Sequence, residues 1–248
     1  MNDELKMLQT PSGVRFGSLG ERRASPAPTL IIVGSDLEYS LTNDEINKVG
    51  RLLGGAHCFG LDVPGHGIDV REGEPQSLGA WRARLDKNEN FVAKFARDIS
   101  DILDYLIADG YSDPARIAVA GTSRGGFMGL HAMAEDSRIR AGVSFAPISE
   151  LTILNEFKGL ERHALTQSLA LSQIAAKLAD RPLWFCIGNN DRRVGTDSLI
   201  DFTRRVVAAC KKGKTAPVEI HIMETEDHHI HDTAHEEAAE WLRKTLIL

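Results

Sequence analysis

Three short segments carry residue types that could together perform acyl transfer. Gly121-Thr122-Ser123-Arg124-Gly125 offers a serine between glycines, Gly188-Asn189-Asn190-Asp191 an aspartate, and Glu226-Asp227-His228-His229 a histidine pair. A serine hydroxyl is a poor nucleophile at neutral pH, so it needs a base within hydrogen-bond reach and an acid that orients that base. The glycine-serine-glycine spacing is weak evidence by itself, and its context has to decide. Here a β-branched run ends at the turn and a helix-competent stretch follows, and the glycines would let a serine occupy a sharp strand-to-helix turn. Such a turn sets Ser123 at a helix N-terminus, where unpaired N–H groups can stabilise an oxyanion, and Arg124 N–H is the first donor expected.

The elements that must position these residues alternate between apolar β-rich runs and helical patterns, the signature of a mostly parallel sheet with crossover helices. Runs beginning at Thr29, at Ala56, at Ala115, at Arg140, at Pro182 and at Val218 read as strands. Helices are predicted over 41–53 (capped by Thr42 or Asn43), 88–109, 124–134, 198–210 and 233–246, with Gly110 closing the second. Residues 64–87 read as a long loop or insertion with one short helix, and 149–180 as a helical stretch forming a small cap. One domain spanning 1–248 is expected.

Asp191 then falls on the loop at a strand's carboxyl end, free to act as the acid if Thr196 or Ser198 caps the next helix. His228 and His229 lie between the last strand and the closing helix; His228 is the expected base and His229 the alternative. His231 and His235 read as solvent-facing or helix-start residues, because no third ligand with metal spacing accompanies them. His66, in Pro64-Gly65-His66-Gly67, reads as a turn residue. The Arg124 side chain reads as a salt bridge holding the turn or as a substrate contact, and Trp81 as a pocket wall or a packed aromatic.

Composition excludes several classes. The chain has 248 residues, 42% hydrophobic and 26% charged, which is neither disordered nor collagen-like. A net charge of −6 and a pI near 5.9 offer no field for nucleic acid. The N-terminal segment lacks an apolar signal region and no run is long enough to span a bilayer, so a cytoplasmic protein with no membrane partner is expected. Cys58, Cys186 and Cys210 lie far apart and read as free thiols.

The order GTSRGG, IGNNDRRV and EDHH, together with LDVPGHG at residues 61–67, resembles the α/β-hydrolase superfamily over nearly the whole chain. Within it, the GxSxGG form is similar to dienelactone hydrolase-like, acetyl-xylan esterase-like and prolyl-oligopeptidase-like enzymes. The resemblance implies an α/β-hydrolase fold with helices on both sheet faces. It implies Ser123 as nucleophile, His228 as base and then acid, and Asp191 as the group fixing the imidazole tautomer, with no cofactor and no metal. Relatives place a His-Gly pair after the first parallel strand. This chain has Gly34-Ser35-Asp36-Leu37 there, so Asp36 N–H is the second oxyanion donor by position, with Ser35 and Leu37 as alternatives. A carboxylate beside an oxyanion would oppose its charge unless turned away. The expected activity is hydrolysis of a small carboxylic ester. Oligopeptidase-like amide hydrolysis is one alternative, although those relatives carry an added propeller, and a non-catalytic binding protein is the other.

Overall fold

In the segment Ala27–Val33 every residue is buried. Ile31 and Val33 pack on one face of the sheet and Leu30 and Ile32 on the other. A strand with no polar face has to be central and covered on both sides. The computed structural model describes residues 4–20 and 22–246. Its strands are β1 (Lys6–Gln9), β2 (Arg15–Leu19), β3 (Ala27–Val33), β4 (His57–Gly60), β5 (Ser112–Thr122), β6 (Ile139–Phe145), β7 (Leu183–Gly188) and β8 (Val218–Met223). They form one sheet in the order β1-β2-β4-β3-β5-β6-β7-β8. β1, β2 and β4 pair antiparallel in turn, and every pairing from β4 through β3 to β8 is parallel.

The helices are α1 (Leu37–Thr42), α2 (Lys48–Leu53), α3 (Leu78–Asp86), α4 (Phe91–Ala108), α5 (Arg124–Glu135), α6 (Ala164–Ser168), α7 (Ala175–Leu178), α8 (Thr196–Ala209) and α9 (Asp232–Leu246). α3, α4, α5 and α8 bury their apolar stripes on one face through Trp81, Phe95, Phe127 and Phe202. α1, α2 and α9 cover the other. There Ala118, Ala120 and Ala141 of the sheet face Ala234, Ala238 and Ala239, and these small side chains let α9 approach closely. Among the described residues no helix is long and apolar enough to cross a membrane.

Several sequence expectations are corrected, and the readings of Trp81 as a packed aromatic and of the cysteines as free thiols hold. The helix over 41–53 is two helices: Asp36 caps α1 by accepting Tyr39 N–H at 2.8 Å, and Asn43 turns the chain by accepting the N–H groups of Glu45 and Ile46. β1 and β2 were not anticipated, being short and half-exposed or glycine-interrupted. The segment 149–180 is no continuous helix but α6 and α7 joined by short 3-10 turns. The position before α8 is Gly195, with no side-chain cap from Thr196 or Ser198. Trp81 is fully buried against Phe91 and Phe127 and belongs to the core. His235, read as solvent-facing or helix-start, stands in the first turn of α9 but is 7% exposed, its ring tilted against that of Phe145 at 4.4 Å. Cys58 and Cys186 are buried and, with Cys210, unbridged.

Burial also sets how the fold responds to acid. His57, His131 and His235 are each lowered from 6.5 to about 4, chiefly because burial disfavours the imidazolium. The unfolded chain therefore binds protons that the folded chain refuses. Stability should be fully present above pH 6.5 and be lost as the pH falls from there toward 4. Urea denaturation across that range should show this slope, and His131→Gln, which keeps a donor for Leu169 C=O, should reduce it by up to about 1.4 kcal/mol per pH unit. A flat profile would contradict the burial argument.

Candidate active site

The site grows from the place where strand order reverses. β3 lies between β4 and β5, so chain segments leave the carboxyl ends of β3 and β5 side by side, in the crevice where open α/β sheets bind ligands. Val33 pairs with Gly121 across that boundary. The next residues of β5 enter the turn to α5, and the next residues of β3 form the loop to α1.

Ser123 stands at that turn with φ 53° and ψ −114°, a region costly to a residue with a side chain. The surroundings hold it there. Its N–H donates to Phe145 C=O at 2.8 Å, and its own C=O accepts from Phe127 N at 3.1 Å and Ile148 N at 3.2 Å. A Cβ on Gly125 would lie 1.9 Å from Val33 O, and one on Gly121 2.5 Å from the Gly125 backbone. The glycines that read from the sequence as relief for a tight turn are therefore required by backbone approaching backbone. The Ser123 hydroxyl is half-buried and has no hydrogen-bond partner among the described residues.

Asp191 follows β7. Its side chain is fully buried, and its Oδ2 accepts from His228 Nδ1 at 2.7 Å. Oδ1 accepts from Arg193 N at 2.9 Å and Val194 N at 3.0 Å. Burial alone would raise this carboxyl, but the His228 hydrogen bond and the Val194 and Arg193 N–H groups outweigh it and hold it below 3.8. The loop is pinned by Thr196, whose hydroxyl donates to Gly188 C=O at 2.7 Å and accepts from Asp191 N at 3.0 Å. Arg192 N donates to Asp227 Oδ1 at 2.8 Å, tying the aspartate loop to the histidine loop. The Asp191 contact needs Nδ1–H, so Nε2 of His228 carries the free lone pair.

His229 makes no such contact; its ring meets that of His231 edge-on at 6.1 Å. His231 Nε2 bonds Glu224 C=O at 2.7 Å. A cavity of about 500 Å³ is lined by His228 and His229 and by Thr122 and Ala146. The histidine loop therefore faces the segments that flank Ser123.

The loop after β3 discriminates among the three candidate donors. Ser35 N donates to Ser40 Oγ at 3.1 Å, and Leu37 N to Asp62 Oδ1 at 2.8 Å. Asp36 N and Arg124 N have no partner among the described residues. The Asp36 carboxylate is engaged in capping α1 and in a 3.3 Å contact with Ser35 Oγ. Asp62 fixes this loop from the Asp-Val-Pro-Gly-His-Gly turn; a Cβ on Gly67 would come within 2.1 Å of its carboxylate.

Among the described residues the Arg124 side chain makes no salt bridge, contrary to one sequence reading. Its Nη1 donates to His66 Nε2 at 2.7 Å and to Ser77 Oγ. His66 is thus more than a turn residue. Sequence reading missed Ser40 and Ser77, hydroxyls whose partners are backbone or distant in sequence, and gave Thr196 a helix-cap role in place of its bonds to Asp191 N and Gly188 C=O. It also missed the Arg193–Glu156 pair, bidentate at 3.0 and 2.5 Å.

Comparison with known proteins gives a consistent setting. Relative to "Putative hydrolase YtaP" of Bacillus subtilis (strain 168), the chain is 26% identical over 187 residues, 72% of this chain and 60% of that protein. A puromycin-hydrolyzing peptidase of Mycobacterium tuberculosis superposes with a TM-score of 0.71 at 18% identity, over 98% of this chain and 39% of that one. A cold-adapted esterase from an Arctic intertidal metagenomic library superposes at 0.65 and 18% identity, over 98% of this chain and 92% of that one. The chain thus spans about 60% of the curated relative and well under half of the peptidase. The likenesses to solved structures establish the α/β-hydrolase fold. The model of the prolyl oligopeptidase family matches residues 79–247, a span holding Ser123, Asp191 and His228, and the chain belongs to that family.

Proposed function

We propose that the protein is a serine hydrolase that cleaves a small carboxylic ester through an acyl-enzyme on Ser123. The observation that carries this reading is the 2.7 Å bond from His228 Nδ1 to the buried Asp191 carboxylate, beside a serine on a strained turn. Ser123 Oγ attacks the ester carbonyl carbon while His228 Nε2 takes its proton. The carbonyl oxygen, now negative, is met by the N–H groups of Arg124 and Asp36. As the intermediate collapses, the C–O bond to the alcohol breaks and His228 returns the proton to the leaving oxygen. Water then attacks the acyl-serine, again giving a proton to His228, and the carboxylic acid departs as that proton returns to Ser123. Asp191 stays ionised and stabilises the imidazolium that forms twice in the cycle.

The coverage of an esterase over nearly its whole length favours an ester over an amide. Amide hydrolysis is the second reading, supported by family membership. Matched substrates decide between them: a para-nitrophenyl acyl ester against the aminoacyl para-nitroanilide. The ester should be the faster by kcat/KM, and preference for the anilide would replace the first reading with the second. Ser123→Ala should abolish turnover with a nearly unchanged denaturation midpoint, whereas retained turnover would remove Ser123 from the mechanism.

The geometry also ranks the two adjacent histidines. His228→Ala should lower kcat by about 10⁴-fold or more. His229→Ala should leave the rate within a few-fold, since that ring does not touch Asp191. Steady-state kinetics of both variants check this, and the reverse order would move the base by one residue.

A further inference from the structure

Ionised side chains taken out of water are ordinarily paired or saturated with hydrogen-bond acceptors, and Arg84, Arg138, Arg193 and Arg181 show both solutions. Arg84, 1% exposed, binds Asp69 and Glu74. Arg138 binds Asp136 and Asp104, and Arg193 binds Glu156. Arg181 lacks a carboxylate but donates to four backbone carbonyls, those of Met133, Asp136, Ile139 and Lys177.

Arg124, half-buried and next to Ser123, has only two partners among the described residues, both neutral. One is the Ser77 hydroxyl. The other is His66, whose Nδ1 bonds Pro64 C=O at 3.2 Å and which therefore turns a lone pair, not a charge, toward the guanidinium. Burial, followed by the charge of Arg124, lowers the His66 pKa from its ordinary 6.5, which favours the neutral imidazole. The nearby Glu156 carboxylate is already engaged by both Nη atoms of Arg193.

Both contacts of Arg124 are made by Nη1. They anchor one corner of the guanidinium and leave the Nε–Nη2 edge without a partner. That edge carries two parallel N–H bonds, the fork that binds a carboxylate bidentately. His66 and Ser77 come from a single loop held by its own contacts, with Ser77 N donating to Gly65 C=O at 3.1 Å and Trp81 Nε1 to Pro64 C=O at 2.6 Å. The fork is therefore pre-positioned before any ligand arrives, which lowers the ordering cost of binding.

We propose that Arg124 is a specificity-determining residue whose free guanidinium edge binds a carboxylate on the substrate, so that the preferred substrates are esters carrying a second, anionic carboxyl group. This rests on the serine-hydrolase reading, and the test separates the two. Two matched pairs probe the acyl and alcohol sides: mono-para-nitrophenyl adipate against the para-nitrophenyl ester of adipic acid monoamide, and para-acetoxybenzoate against para-acetoxybenzamide.

Wild-type kcat/KM should favour the carboxylate member of at least one pair by about 10- to 100-fold, the worth of one charge-assisted contact. Arg124→Gln should bring that ratio close to one, and Arg124→Lys, which keeps the charge without the fork, should retain part of it. Should Arg124→Gln fail to fold, the lysine variant carries the comparison. Equal turnover of both members in both pairs, or a ratio untouched by the substitutions, would overturn the proposal while leaving the hydrolase reading intact. Turnover of no ester would sink the hydrolase reading instead. In that case the thermal midpoint with millimolar adipate or benzoate decides: a rise in wild type that is lost in the variant upholds the carboxylate site, and no rise overturns it.

Discussion

The contact on which the rest of this structure depends is the approach of the first turn of α5 to the carbonyl of Val33. No side chain fits between them, since a Cβ at Gly125 would lie 1.9 Å from that oxygen. Closing this gap brings the start of α5 against the end of β3, and so brings the Ser123 turn beside the Ser35–Leu37 loop. It also forces Ser123 into positive φ, at a cost of about 1–3 kcal/mol. The return is local and specific: Ser123 N–H donates to Phe145 C=O and Ser123 C=O accepts from Phe127 and Ile148 N–H, and the N–H groups of Arg124 and Asp36 are left without partners among the described residues.

A second constraint is electrostatic. Asp191 is an ion with no exposed side-chain surface, and such a charge is tolerated only when its lone pairs are filled. Two are filled by backbone N–H groups of its own loop and one by His228. Rigid support on one oxygen therefore leaves the other to select the imidazole's orientation and tautomer. Arg124 is the opposite case, a partly desolvated cation whose neighbours do not neutralise it. One charge is completed within the protein, and the other, on the residue after Ser123, meets only neutral hydrogen-bond partners among the described residues.

Much of this was legible in the sequence because the governing interactions are local. The glycines around Ser123, the break of β7 into Asn189-Asn190-Asp191 and the position of His228 between a strand and a closing helix all follow from short-range pattern. Fully apolar runs marked the central strands for the same reason. What the sequence did not disclose depends on partners far away in the chain. That Asp36 N, and not Ser35 N or Leu37 N, is without a partner among the described residues rests on Ser40 and Asp62 occupying the other two N–H groups, and no spacing rule reveals which amide is already taken. The burial of His235 depends on Phe145, and the split of one expected helix into α1 and α2 on the side chain of Asn43. β1 and β2 escaped notice because β1 is a four-residue, largely exposed edge strand and β2 is five residues interrupted by Gly17.

The central claim is that Ser123 is an activated nucleophile facing prepared oxyanion donors. Treating the purified protein with a fluorophosphonate, and mapping the adduct by mass spectrometry, tests it without knowledge of the substrate. The account predicts a stoichiometric adduct on Ser123 alone. A folded protein that takes up no label, or is labelled at another residue, would contradict it.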